Sequence, residues 1–283
     1  MQRVCLYHAG CPDGFGAAWA VWRAWGEEAR YLPCGHEDVI DARTYQGHHL
    51  VFADIAPAND TLRALVGTAA KLVVLDHHLS SQRRYEGDAE LAQLVEAAGH
   101  QVTFDRTHSG AVLAWRHFAT GEPVPELLAY IEDQDLWSWK LPHSERVNAA
   151  IASYPRRFEV WSDLSTRPIS ELAAEGEPIL RANRIEVERT LTTAHRVIID
   201  SRPVEAVNST HQRSSLGHAL ALRARYGSGW GCVYRIQAGR VDVSLYSIGE
   251  LDVSAIAGRY SGGGHRNAAG FSVPLQVWLD DFL

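Results

Sequence analysis

Three short apolar runs in the N-terminal part of the chain break off into a histidine or an aspartate. Residues 3–7 lead into His8, residues 50–53 into Asp54, and residues 71–75 into Asp76-His77-His78. Asp13 follows the first run inside a Gly-Cys-Pro-Asp-Gly turn, and Asp133 and Asp135 close a later helical stretch. Carboxylates mixed with imidazoles, without paired thiols, are a donor set for Mn²⁺, Mg²⁺ or Fe²⁺ rather than for structural zinc. Several acids brought together would repel one another without cations. Two metal ions about 3.5–4 Å apart would relieve that repulsion, activate a water and hold phosphoryl oxygens for in-line attack. Asp54 is the natural bridge between them.

Each of these residues alone has an ordinary explanation. A histidine at a strand end is usually structural, and an aspartate in a Cys-Pro-Asp-Gly turn usually serves the turn. The chain has 14 histidines, and His36, His48, His49, His100 and His195 are read as surface residues. The joint pattern argues otherwise, because apolar strands ending in bare acids pack poorly and make good ligand sets.

The elements that must position these groups follow from the spacing. Strand-like runs at 3–7, 29–32, 50–53 and 71–75 alternate with helical patterns at 15–25, 90–98, 109–119 and 125–132. Strands separated by helices imply parallel βαβ units. In such a sheet all carboxyl ends lie on one edge, where ligand sites form. Residues 153–202 read as helical and charged, with one long helix over 179–199. After Pro203 a strand at 204–207, a helix at 215–224 and a hairpin of 231–236 with 240–245 follow. Val241, Val243 and Leu245 alternate with polar residues, so that sheet has one covered face. The expected class is α/β. A mainly parallel N-terminal sheet flanked by helices (1–152) precedes a helical connector (153–202) and a smaller C-terminal α/β domain (203–283).

A second motif is Gly262-Gly263-Gly264-His265-Arg266-Asn267-Ala268-Ala269-Gly270. Its glycines allow close backbone approach, and its N–H groups can cradle a phosphate. A glycine-rich turn before the last strand explains it equally well. It matches neither the P-loop nor the dinucleotide-binding spacing.

Composition bounds the rest. The chain has 283 residues, 46% of them hydrophobic and 22% charged, which is ordinary for a globular protein. A net charge of −7 argues against an extended surface for long duplex nucleic acid. Cys5, Cys11, Cys34 and Cys232 form no C-x-x-C pair and suit a reducing cytoplasm. No signal peptide or membrane span is expected.

Taken in order, these motifs resemble the DHH phosphoesterase superfamily with its accessory DHHA1 domain. Asp76-His77-His78 is similar to the name-giving triplet, His8-Ala-Gly-Cys-Pro-Asp13-Gly to the first motif, Ala53-Asp54 to the second, and Asp133-Gln134-Asp135 to the fourth. Gly262–Phe271 is similar to the DHHA1 signature. The resemblance covers almost the whole chain. It implies Mn²⁺-dependent hydrolysis of phosphoester or phosphoanhydride bonds, with Mg²⁺ as a substitute. It also implies metal ligation by His8, Asp13, Asp54, His77 and Asp133 or Asp135, orientation of the histidines by Asp76, and contact of His78 with metal or scissile phosphate. Gly263, Gly264, His265, Arg266 and Asn267 would bind substrate. Two departures stand out: Cys11 occupies the place of a first-motif aspartate, as a soft ligand or a weak point, and Tyr246 replaces an expected arginine in Ser244-Leu-Tyr246-Ser247.

The expected function is hydrolysis of phosphodiester bonds in short oligonucleotides or dinucleotides. The alternatives are an exopolyphosphatase or other phosphoanhydride hydrolase, and a non-catalytic nucleotide-binding sensor. Trp137 and Trp139 offer rings on which a base could stack, although packing at the domain edge is the favoured reading.

Overall fold

The structure is a computed structural model, and residues 2–35 and 38–283 are described. His36 lies outside them. The chain divides into two compact units, Met1–Leu180 and Arg181–Leu283.

The first unit is built on five parallel strands: β1 (Arg3–His8), β2 (Ala29–Cys34), β3 (His49–Ala53), β4 (Lys71–Asp76) and β5 (Gln101–Phe104). Their order is β2-β1-β3-β4-β5. The helices of this unit are α1 (Pro12–Trp25), α2 (Asn59–Val66), α3 (Leu79–Glu86), α4 (Ala89–Ala97), α5 (Gly110–Phe118), α6 (Glu126–Asp135), α7 (Ser144–Ser153), α8 (Phe158–Leu164) and the first half of α9 (Ile169–Leu191). Alternation along the strands explains why both sheet faces are covered. Cys5, Val51, Ala53, Val73 and Leu75 pack with α1, α5, α6 and α7. Val4, Leu6, Leu50, Phe52, Leu72 and Val74 face Leu62 and Leu65 of α2 and Leu91 and Val95 of α4. All five strands run the same way, so His8, Asp54 and Asp76 come out on one edge.

The second unit is a six-stranded mixed sheet in the order β10-β11-β9-β8-β7-β6. Its elements are β6 (His195–Ile199), β7 (Arg202–Asn208), α10 (Arg213–Arg223), β8 (Trp230–Gln237), β9 (Arg240–Ser247), α11 (Val253–Gly258), β10 (Gly263–His265), β11 (Ala268–Pro274) and α12 (Leu275–Asp281). Val241, Val243 and Leu245 pack with Ile256 of α11 and Trp278 of α12. Val207 and Val233 lie on the other face, under Leu216 and Leu220 of α10. Both sheet faces carry helices, where the alternation of β9 alone implied one.

The organisation is therefore two α/β parts, as expected, with local differences. The helix read over 179–199 stops at Leu191, and 195–199 is a strand. Thr192 and Thr193 turn their hydroxyls back onto Arg189 O (2.7 Å) and Thr190 O (2.8 Å), which ends the helix. The β-branched Val197-Ile198-Ile199 then pairs with β7. His48, His49, His100 and His195 are half-buried rather than surface residues; His195 Nε2, for example, lies 3.1 Å from the Tyr234 hydroxyl. Among the described residues no helix is long and apolar enough to cross a membrane.

Candidate metal centre

The end of β1 and the start of α1 meet with no room for a side chain. A Cβ on Gly14 would lie 2.1 Å from the His8 carbonyl oxygen. The Cys11 sulfur caps α1 by accepting from Gly14 N at 3.2 Å. This turn buries Asp13, which reaches the N-terminus of α5. Its carboxylate accepts from Gly110 N (2.7 Å) and Ala111 N (3.0 Å), the positive end of a helix. Asp54 leaves β3 in the left-handed region, φ 61°, which aspartate tolerates better than most residues. It lies so close to α5 that a Cβ on Gly110 would come within 2.3 Å of the Asp54 Cβ.

The carboxylate of Asp54 is shared between two groups. Oδ2 lies 3.2 Å from His8 Nδ1 and 3.5 Å from Cys11 Sγ, whereas Oδ1 lies 3.0 Å from His77 Nε2. His77 Nε2 is also 3.6 Å from Asp13 Oδ2 and 3.4 Å from Asp135 Oδ2. His8, Asp54 and His78 each offer a donor atom within 4.8 Å of the others, and so do Asp13, His77 and Asp135. Asp76 stands behind them, fully buried. Its Oδ1 accepts from the backbone of His77 (2.7 Å) and His78 (3.1 Å) and from His78 Nδ1 (2.7 Å). That fixes the His78 tautomer and leaves Nε2 as its donor.

The electrostatics follow from burial and from the charges these groups share. Burial pushes the Asp13 carboxyl well up, reinforced by Asp54 and Asp135, and burial likewise raises Asp135. Burial would raise Asp54 too, but His77 and His8 hold it well below the carboxylate range. Burial pulls the two imidazoles down, yet the surrounding carboxylates outweigh it and carry His8 up to about 9 and His77 up to about 10. Burial and the same carboxylates push the Cys11 thiol well up. Protons thus stand in for cations. Asp54 Oδ1 and Asp135 Oδ2 are buried and converge on the one His77 ring nitrogen, at 3.0 and 3.4 Å. Oxygen and imidazole donors crowded around buried carboxylates fit divalent metal ions.

Of the residues singled out in the sequence, His8, Cys11, Asp13, Asp54, His77, His78 and Asp135 meet at this edge, with Asp76 beneath. Asp133 does not join them. Its carboxylate accepts from Lys140 N (2.8 Å) and Leu141 N (3.3 Å) and is occupied in building the following loop. Two supports escaped the sequence reading. Gly110 makes room for Asp54, and Glu132 accepts from Ser109 N at 2.8 Å, holding the start of α5 over Asp13. No local signal marks either one, since both act through a contact far away in sequence.

In the second unit, β10 and β11 form a hairpin whose turn is Arg266-Asn267. Arg266 donates to Glu250 O (2.8 Å) and Oε2 (2.6 Å), and Asn267 Nδ2 to Ser247 Oγ (3.0 Å). The glycines serve close approach here. A Cβ on Gly262 would lie 2.1 Å from Gly270 O, and Gly264 sits at φ 137°.

Residues 204–283 match the DHHA1 domain. The DHHA1 part of the resemblance drawn from the ordered motifs is thereby borne out over these residues. An uncharacterized protein of Acanthamoeba polyphaga mimivirus, R106, is 25% identical over 292 residues, spanning 95% of this chain and 67% of its own length. Among solved structures, the pGpG-specific phosphodiesterase PggH from Vibrio cholerae superposes with a TM-score of 0.42 at 10% identity, covering 98% of this chain and 94% of that one. An exopolyphosphatase-related protein from Bacteroides fragilis does so with a TM-score of 0.39 at 12% identity, covering 95% and 86%. Such scores are too low to transfer a residue role or an activity.

Proposed function

We propose that this chain is a metal-dependent phosphoesterase of the DHH/DHHA1 type that hydrolyses phosphodiester bonds in short oligonucleotides or dinucleotides. The observation that carries the reading is the split carboxylate of Asp54, one oxygen toward His8 (3.2 Å) and the other toward His77 (3.0 Å). His8, Asp54 and His78, with Cys11 beside them, would hold one cation; Asp13, His77 and Asp135 would hold the other, with Asp54 common to both. When bound, the ions (Mn²⁺ in this reading, Mg²⁺ as a substitute) would lower the pKa of an attacking water and neutralise phosphoryl oxygens.

The chain's own residues supply the preorganisation. Asp76 holds His77 and His78 through three hydrogen bonds to one oxygen. Gly110 and Ala111 fix Asp13, so its carboxylate does not have to reorganise during the reaction. Burial excludes bulk water from Asp13, Asp54 and His77. In this reading residues 1–152 are the catalytic domain, 153–202 the connector and 203–283 the substrate-binding domain. Gly263, Gly264, His265, Arg266 and Asn267 would bind substrate phosphate, and Arg266 would exchange its exposed partner Glu250 for it. All four cysteines are free, in keeping with a cytoplasmic location.

The test is a Mn²⁺-dependent substrate panel with a dinucleotide and polyphosphate, run on the wild type and Asp54→Ala. Release of mononucleotide by the wild type and its loss in Asp54→Ala is the expected result. Turnover of polyphosphate alone would replace the substrate assignment. Nucleotide binding with no turnover of either would make the chain a sensor.

A further inference from the structure

The two sides of the second unit's sheet differ over β9, β10 and β11. On the side that carries α10, two cross-strand rows run Gly263, Gly270, Ser244 and His265, Ala268, Tyr246. All six residues are half-buried, whereas Gly264, Ala269 and Leu245, which alternate with them on the α11 side, are buried. Leu216 and Leu220 of α10 pack on Val207 and Val233. Gly217 lies so close to the Tyr246 ring that a Cβ there would come within 1.9 Å of it. Arg213 precedes Gly217 by four residues and so shares its helix face. That brings its guanidinium over β9, where Nη2 donates to the Ser244 hydroxyl.

This hydrogen bond uses one of five guanidinium donors and leaves the charge unmatched. The carboxylates on the same side of the sheet are engaged elsewhere. Asp242 pairs with Arg235 at 2.8 Å, and Glu205 with Arg223 and Arg225 at 3.3 Å each. Among the described residues no carboxylate pairs with Arg213, and its Nε is buried without a hydrogen-bond partner. A buried donor without an acceptor is rare in a native protein and asks for a reason. A half-buried guanidinium with no counter-charge of its own favours an anion beside it.

We infer that Arg213 and the Ser244 hydroxyl bind a phosphate group on the α10 side of the second unit's sheet, beside the Gly262–Gly270 hairpin. The inference rests on the proposed reading of this unit as the substrate-binding domain and adds a cation that the hairpin does not contain. Arg213 would supply the planar fork that phosphate oxygens match. Ser244 accepts from Arg213 and keeps its own O–H to donate to the same anion. Glycine at 263 and 270 leaves the adjoining row without side chains to obstruct it.

The experiment titrates the EDTA-treated full chain with inorganic phosphate by isothermal calorimetry, so that the metal centre does not contribute. Saturable binding by the wild type is expected. Arg213→Gln, which can still donate to Ser244, should weaken it at least about tenfold, the scale of one charge-assisted hydrogen bond. Arg213→Lys should stay within about threefold, because it keeps the charge. Ser244→Asp should weaken binding as much as Arg213→Gln, by giving Arg213 a carboxylate partner, and it carries the same test if Arg213→Gln does not fold. Arg225→Gln, which removes an exposed charge paired with Glu205, should leave phosphate affinity unchanged. A residue that only ties α10 to β9 would change the melting temperature and leave phosphate affinity alone. No saturable binding by the wild type, or affinity unmoved in Arg213→Gln and Ser244→Asp, overturns the inference. Dinucleotide hydrolysis in Mn²⁺ with phosphate affinity indifferent to Arg213 defeats this site alone. Arg213-dependent phosphate binding without any hydrolysis defeats the phosphoesterase reading alone.

Discussion

Replacing Gly110 with alanine adds one methyl group at the tightest point of the centre. The new Cβ would lie 2.3 Å from Asp54 Cβ, 2.5 Å from Oδ1 and 2.7 Å from Cα. Carbon atoms rest about 3.5–4.0 Å apart, so more than about 1 Å must be recovered. The Asp54 backbone is tied by its N–H to Leu75 O at 2.8 Å and cannot simply withdraw. Overpacking of this kind costs about 1–3 kcal/mol, offset by up to about 1 kcal/mol of better helix propensity in α5. The net loss of up to about 3 kcal/mol lowers Tm by up to about 12 °C. The larger effect falls on the site, where a displacement of about 1 Å costs on the order of 100-fold in rate. Differential scanning fluorimetry, Mn²⁺ titration and dinucleotide hydrolysis read the three effects. Gly67→Ala is the control, because its nearest neighbour is an ordinary 3.7 Å away. A Gly110→Ala protein with Mn²⁺ affinity and turnover within about twofold of wild type, where about 100-fold is expected, would refute this picture of Asp54.

The remaining predictions concern pH and packing. In the metal-free chain, burial opposes protonation of His8 and His77, but the carboxylates win and raise them to about 9 and about 10. A raised folded-state pKa stabilises fully below the unfolded value of about 6.5 and is lost as pH rises through the folded value. The Tm of EDTA-treated protein should therefore fall between about pH 6.5 and 10, while Mn²⁺ affinity climbs as the imidazoles give up protons. A flat metal-free profile would count against the ion pairs. Gly176→Ala places a Cβ 1.7 Å from Arg146 O, where α9 crosses α7. It should destabilise by about 1–3 kcal/mol in chemical denaturation, and an unchanged denaturation midpoint would contradict that close crossing.

The site was legible where chemistry and strand register coincide. His8, Asp54 and Asp76-His77 stand at the ends of apolar runs, and parallel pairing alone brings them to one edge. Asp133 and Asp135 could not be separated that way. They are two residues apart on α6, so they point to different sides of the helix, and only its packing on α1 and α5 decides which one faces His77. The short strands β5 and β6 were missed. Gln101–Phe104 is only partly buried and carries little apolar signal, while Thr192 and Thr193 end α9 through side-chain hydrogen bonds that propensity does not reveal. The reach of Gly110 to Asp54 and of Glu132 to Ser109 exists only once the chain has folded.

Titration of metal-free protein with Mn²⁺, followed by calorimetry and electron paramagnetic resonance, addresses the centre itself. The account predicts two ions per chain with a spin-coupled signal, proton release on binding, and loss of the coupled signal in Asp54→Ala. Failure to bind Mn²⁺, or a coupled pair that survives Asp54→Ala, would contradict it.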